Sequence, residues 1–379
     1  MSRFIKPTSL RLPDEKHERH ATWLEIFFDL IFAVLIVQLS DRLSKDFTLI
    51  GLLKCAGLLV PSIWTWTSYT VFAARFDNND AVHWLMTFIT MFAGAIMAIQ
   101  IPDALEDGGT GFSIGFILSQ ITLLFLYSRP HHEMASAHKL THFYLTGFGL
   151  GVLCWIVSLL FDPPEQFYFW ILGMFIYLAV PWIGKKHILS KAPLDTIYIP
   201  ERLGAFTVII LGQIVTSVVL GLESASWHFT SVVTSMMAFA LAIIIWGQYY
   251  WFTQVADYKC TLGSGQPYIY AHIPLIFSLM VIGVCAQFFI SNTDIDETVR
   301  NTFCCSIILY MSSFFLLQYI ALPNIRIRGI AYLSGTAATL CLFYISPLTP
   351  MFIMTGIALI FLTLFTVQYL LGYKYIHTH

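Results

Sequence analysis

Charge is what this sequence has least of. Only 11% of its 379 residues are Asp, Glu, Lys or Arg, against about 25% in a soluble domain. With 57% apolar and 16% aromatic residues, that deficit excludes an ordinary soluble globule and places the chain in the membrane class. A net charge of −2 and a pI near 6.6 leave no basic footprint, which excludes a nucleic-acid partner. The seven cysteines are Cys55, Cys154, Cys260, Cys285, Cys304, Cys305 and Cys341. None forms a CxxC pair and all but Cys260 lie in apolar runs, so neither a disulfide framework nor a zinc pattern is present. They read as small packing residues. A Gly-rich phosphate loop, a nucleophile elbow and a kinase set are also missing. No catalytic residue, metal site or cofactor is therefore assigned.

What the sequence does have is apolar runs of about 20 residues, the length that crosses a bilayer as helix. They fall at about 23–43, 48–73, 81–102, 111–128, 141–161, 167–184, 202–223, 227–252, 268–290, 299–321, 329–346 and 350–373. The fold class is all-α, a polytopic bundle of about twelve membrane helices with the lipid bilayer as its partner. Basic residues orient it. With the N-terminus inside, inner segments hold Arg3, Lys6, Arg11, Lys16, Arg19, Arg75, Arg129, Lys139, Lys185, Lys186, Lys191, Lys259, Arg326, Arg328 and Lys374, fifteen of the 20 basic residues. Both termini are expected in the cytoplasm. No cleavable signal peptide is evident, and residues 1–22 read as a basic cytoplasmic tail. A first six-helix half at 23–184, a cytoplasmic linker at 185–200, a second half at 201–373 and a short tail at 374–379 complete the expected organisation.

The halves repeat features in the same orientation. Trp66, Tyr69, Phe72 and Asp77 meet Trp246, Tyr249, Phe252 and Asp257 at a constant offset of 180. His83 opens the third run and His272 the ninth; Glu25 opens the first and Glu201 the seventh. Six runs per half is an even number, so the expected duplication is parallel.

Ionisable residues gather where these runs begin. Glu25 and Asp29 stand four residues apart, on one face of a helix and about 6 Å apart along its axis. An acid at membrane depth costs at least about 2.5 kcal/mol unless partnered or hydrated. Thr22 to Glu25 has the form of a capping box, which gives Glu25 a structural reading beside the functional one. Asp29 lies a turn deeper, beyond any cap. Arg202 is the favoured counter-charge, while Pro200 reads as the first helical residue of the seventh run. The candidate substrate- or ion-binding set is Glu25, Asp29, Arg75, Asp77, His83, Glu201, Arg202 and His272. Asp80 reads as a solvated loop charge. His131, His132, Glu133, His138 and His142 read as a solvated basic loop and not as a metal site. Gly147, Gly149, Gly151, Gly204 and Gly212 read as helix-packing positions, and Trp64 and Trp66 as packing or interface aromatics.

Several blocks resemble one known family. Residues Arg19 to Phe32, Arg75 to Asp80, Ile101 to Ala104, Glu201 to Gly212 and Tyr270 to Pro274 are similar to the signature of the bacterial low-temperature-requirement A (LtrA) family. Gln213 stands where that pattern usually has Glu. The resemblance implies a multi-span membrane protein linked by name to growth in the cold, and supplies no reaction. Residue placement points first to a secondary transporter or permeation protein of the bacterial cytoplasmic membrane. Its polar site would lie between the halves, with proton or cation coupling and a small solute or ion as ligand. The alternatives are an integral-membrane enzyme acting on a lipid or other apolar substrate, and a membrane sensor or structural protein needed for growth in the cold.

Overall fold

A chain in hydrocarbon must satisfy its backbone polar groups internally, and a single apolar run does so only as a helix. The computed structural model describes residues 6–10, 21–77, 80–106, 109–184, 195, 197–225, 227–256, 265–292, 295–322, 325–344 and 349–378. Among the described residues there are twelve helices: α1 Trp23–Lys45, α2 Leu49–Arg75, α3 Ala81–Gln100, α4 Thr110–Glu133, α5 His138–Ser158, α6 Glu165–Gly184, α7 Tyr198–Ser224, α8 Phe229–Val255, α9 Gln266–Ser291, α10 Glu297–Ala321, α11 Ile325–Tyr344 and α12 Pro350–Thr378. Each apolar run of the sequence coincides with one of them. Eleven are long and apolar enough to cross a membrane, and α11 has the shorter apolar stretch Gly329–Phe343. The chain is a polytopic helical membrane protein. A two-residue antiparallel pair, β1 Ser9–Leu10 with β2 Phe76–Asp77, is a local tie and not a sheet layer.

By contact the chain divides into two compact units. One comprises residues 1–42, 50–202 and 263–266; the other comprises 43–49, 203–262 and 267–379. In the first, α3 packs on α4, α4 on α5 and α5 on α6; in the second, α8 packs on α12, α10 on α11 and α11 on α12. Lipid gives helices no hydrophobic reason to associate, so close approach at small residues matters. A Cβ at Gly147 would lie 2.6 Å from Val180 of α6, and one at Gly151 would lie 2.8 Å from Tyr177. These two share a face of α5. Gly149 is rotated away and meets nothing within 4 Å, as does Gly212, so the expectation of helix packing fails for both. Exposed Phe27, Leu30 and Val34 of α1, with Phe88 and Phe92 of α3, offer side chains suited to lipid.

Some boundaries differ from the sequence expectation. Helix α7 starts at Tyr198, upstream of Pro200, because the Asp195 carboxylate accepts from the backbone N–H groups of Ile197 and Tyr198 at 2.9 Å each. Helix α4 continues through Pro130 to Glu133, placing Arg129 and Glu133 one helical turn apart at 3.9 Å. Residues 185–194 of the expected linker lie outside the described residues. So do 1–5 and 11–20 of the expected tail, but Lys6–Leu10 is tied down. Besides the β1–β2 pair, Lys6 N–H donates to Asp80 at 3.2 Å, Thr8 N–H to Glu133 at 2.6 Å, and Arg129 to the Lys6 carbonyl at 3.0 Å.

Asp80 is therefore not the solvated loop charge expected. It is buried, caps α3 through the His83 N–H at 2.9 Å, and pairs with Arg129 at 2.7 Å. Burial pushes its carboxyl upward, yet the hydrogen bonds from Arg129, His83 N–H and Lys6 N–H and the Arg129 charge outweigh that. The result lies below the ordinary 3.8. A depressed carboxylate stabilises the fold above its unfolded-state value and loses that contribution as pH falls through its folded-state value. Asp80→Asn is expected to cost about 1–2 kcal/mol at pH 7, read as a lower thermal midpoint in detergent. The gap to the natural protein should begin to narrow only below about pH 3.8 and close as pH falls through the lower folded-state value.

Candidate functional site

Helix α1 buries Phe28, Phe32, Leu35 and Leu39 on one stripe, the i, i+4, i+7 pattern of an inward face. Asp29 sits on that stripe with no exposed surface, although Phe27 and Leu30 beside it are about half exposed. The guanidinium of Arg202 meets it with two hydrogen bonds, 2.8 Å to Oδ1 and 3.0 Å to Oδ2. Trp66 of α2 adds a third from its indole N–H to Oδ1 at 2.7 Å, and its ring lies 5.8 Å from the Arg202 guanidinium carbon. One turn earlier, the Tyr198 hydroxyl donates to Glu25 Oε1 at 2.5 Å. Glu25 also completes the capping box: its Oε2 accepts from Thr22 N–H at 2.8 Å, and Thr22 Oγ1 accepts from Glu25 N–H at 3.3 Å.

Both cross-helix bonds, Glu25 to Tyr198 and Asp29 to Arg202, span 173 residues. A constant offset at two successive turns means that α1 and the first turn of α7 run side by side in one direction. Tyr198 and Arg202 group by contact with the first unit, so this cluster lies wholly within it. Glu201 turns aside from the pair, and its carboxylate accepts from Ala21 N–H at 3.4 Å.

The other candidates occupy separate places. His83 meets the Tyr69 hydroxyl at 3.1 Å. In the second unit, His272 is buried, with Nε2 2.8 Å from the Tyr249 hydroxyl and Nδ1 2.8 Å from the Tyr268 carbonyl. Arg75 is buried at the end of α2, with Nη1 donating to the Tyr144 hydroxyl at 2.9 Å. The backbone of Asp77 pairs with Ser9; its side chain lies outside the described residues, as does Asp257. Rings of His131, His138 and His142 stack, the closest pair with centroids 4.0 Å apart. Among the described residues no group of three His, Cys, Asp or Glu side chains is arranged to hold a metal. The described cysteines are free, and Cys260 lies outside the described residues.

Sequence reasoning missed the neutral partners: Trp66 and Tyr198 on the acids, Tyr69 and Tyr249 on the histidines, Tyr144 on Arg75. Trp66 is more than a packing or interface aromatic, because its indole N–H holds Asp29. One signal was available. Tyr198 and Arg202 repeat the four-residue spacing of Glu25 and Asp29.

A sequence model of the bacterial low temperature requirement A (LtrA) proteins matches residues 20–365. The chain belongs to the bacterial LtrA family. An uncharacterized protein of Rhizobium meliloti (strain 1021) is 25% identical to this LtrA chain over 294 residues, 72% of this chain and 70% of that protein. The LtrA match contains every candidate residue from Glu25 to His272. The family's name refers to a low temperature requirement and to no substrate, so chemistry must be argued from the cluster itself.

Removing one partner of a buried ion pair leaves the other uncompensated, at a cost of about 3–5 kcal/mol, while removing both in favour of apolar groups is close to neutral. Asp29→Leu and Arg202→Met should therefore each lower the thermal midpoint strongly. The double variant should recover most of the loss in a detergent unfolding assay.

Proposed function

We propose that this LtrA-family protein is a secondary transporter or permeation protein of the bacterial cytoplasmic membrane. It carries a small solute or ion, and Asp29 is its proton or cation acceptor. The observation that carries the reading is the buried bidentate Asp29–Arg202 pair with Glu25 one turn away. A buried ion pair is a poor source of stability, and ionisable groups at membrane depth mark ion or substrate pathways by default. Protonating Asp29, or placing a cation against it, removes the attraction that holds Arg202. That step converts a local charge change into a change in how α1 meets the start of α7.

Two further observations support a duplicated carrier with both termini in the cytoplasm. Among the described residues each unit contains a tyrosine hydroxyl hydrogen-bonded to a histidine ring, Tyr69 with His83 and Tyr249 with His272; the tyrosines stand 180 residues apart. The same-direction run of α1 and the first turn of α7 suits a parallel repeat, and the basic residues favour the inner side. The closure of the Asp29–Arg202 pair also favours a second reading, a sensor or structural protein in which the pair only holds helices together.

A neutral pair separates the two. Asp29→Asn with Arg202→Gln keeps hydrogen-bonding groups of similar shape and removes both charges. Deletion cells grown at low temperature would be complemented with the natural or neutral-pair protein at equal membrane levels. Ions and small metabolites inside and outside would then be compared. A defined set of solutes should change in the deletion strain, return with the natural protein, and stay changed with the neutral pair. Full recovery with the neutral pair would leave only the structural reading.

A further inference from the structure

Among the described residues, Arg75 differs from Arg42, Arg129 and Arg202 in having nothing anionic to hold. Arg202 has Asp29, and Arg129 has Asp80. Arg42 has the carbonyls of Ile101 and Pro102 with Glu106 at 3.5 Å. Arg75 is 1% exposed, and among the described residues no carboxylate lies within ion-pair distance. Its one well-formed bond runs from Nη1 to the Tyr144 hydroxyl; Nε and Nη2 have no acceptor at good distance and angle, and the Tyr127 hydroxyl is the neutral group that lies beside the guanidinium. The C-terminal end of α2 offsets part of the charge through its dipole but supplies no hydrogen bond to these atoms.

The free atoms are informative. Nε–H and the Nη2–H beside it form the side-on fork of the guanidinium, the edge that receives a carboxylate through two parallel bonds. Around it stand further donors. The Tyr144 hydroxyl oxygen already accepts from Arg75, so its own hydrogen is left to give. The Tyr127 ring stacks on Tyr144 with centroids 5.0 Å apart, and its buried hydroxyl sits beside the guanidinium without a well-formed hydrogen bond. Phe72, Phe76 and Phe148 pack on Tyr127 at 4.9, 6.0 and 6.4 Å. A net positive cluster with donors to spare and no carboxylate, walled by aromatic rings, suits an anion with two coplanar oxygens and an apolar body.

We propose that Arg75, Tyr144 and Tyr127 form a binding site for the carboxylate of a small organic acid. The site lies within the first unit and is distinct from the Asp29–Arg202 pair. The inference deepens the transport reading by naming a class of solute, and it rests on that reading only for the carboxylate's being cargo. Binding itself requires no gradient.

The test is equilibrium binding of radiolabelled benzoate and acetate to the purified full chain in nanodiscs, at constant ionic strength set with sodium chloride. Saturable binding of at least one is expected. Arg75→Lys keeps the charge and loses the fork, so it should bind at least tenfold more weakly. Tyr144→Phe should weaken binding by a smaller factor. Binding is read at equilibrium without a gradient, so failure of the coupling proposal leaves this one standing. Absence of saturable binding to both acids, equal binding in Arg75→Lys, or displacement by chloride at the carboxylate's own concentration would each overturn it. Arg75→Lys is to be used only where its thermal midpoint shows a folded protein. If it does not fold, Tyr127→Phe combined with Tyr144→Phe replaces it, and unchanged binding there overturns the proposal equally.

Discussion

Two charges withdrawn from water must hold each other, and the bond between Asp29 and Arg202 sets the terms for the helices that carry them. Both of its hydrogen bonds are needed, because desolvating a carboxylate and a guanidinium is repaid only by close, well-directed contact. That demand fixes the rotation of α1, which keeps Asp29 inward while Phe27 and Leu30 are half exposed. It also fixes where α7 begins. Tyr198 and Arg202 have to arrive opposite Glu25 and Asp29, and Asp195 caps the helix early enough for both to be helical.

Aromatic side chains do much of the remaining polar work. Trp66 holds Asp29, Tyr198 holds Glu25, Tyr69 and Tyr249 meet the two histidines, and Tyr144 meets Arg75. Gln318 likewise finds the Tyr332 hydroxyl at 2.9 Å. An indole or phenol presents an apolar body to the bundle and one polar atom at its tip. It can therefore satisfy a buried ion without bringing a second charge into lipid. The 16% aromatic content of the chain gains a second meaning beside packing.

The end of the first unit where α2 finishes and α3 starts shows two treatments of charge in neighbouring positions. Asp80 is met from every side, by Arg129, by the first turn of α3 and by the Lys6 backbone. Arg75, five residues earlier, is also buried and has one well-formed bond, to a phenol. Saturation at one position ties the Lys6–Leu10 segment to the helices. At the other, two guanidinium nitrogens are left without a hydrogen-bond acceptor among the described residues.

Sequence alone determined the class of this protein and its span plan. Low charge and twelve apolar runs left no other way to bury the backbone, and all twelve became helices. It also made the need for a counter-charge at Asp29 legible, since an acid at that depth is costly alone. Helix starts were less legible, because Asp195 and the continuation through Pro130 act through local hydrogen bonds that composition does not rank. The capping box was readable because its partners are three residues apart. Tertiary structure alone decided which groups met. Arg202 faces Asp29 while Glu201 turns to Ala21; Asp80 is enclosed and not solvated; Gly147 and Gly151 pack while Gly149 does not. The physical reason is that pairing across helices depends on rotation and register, and a difference of one residue turns a side chain by about 100° on the helix.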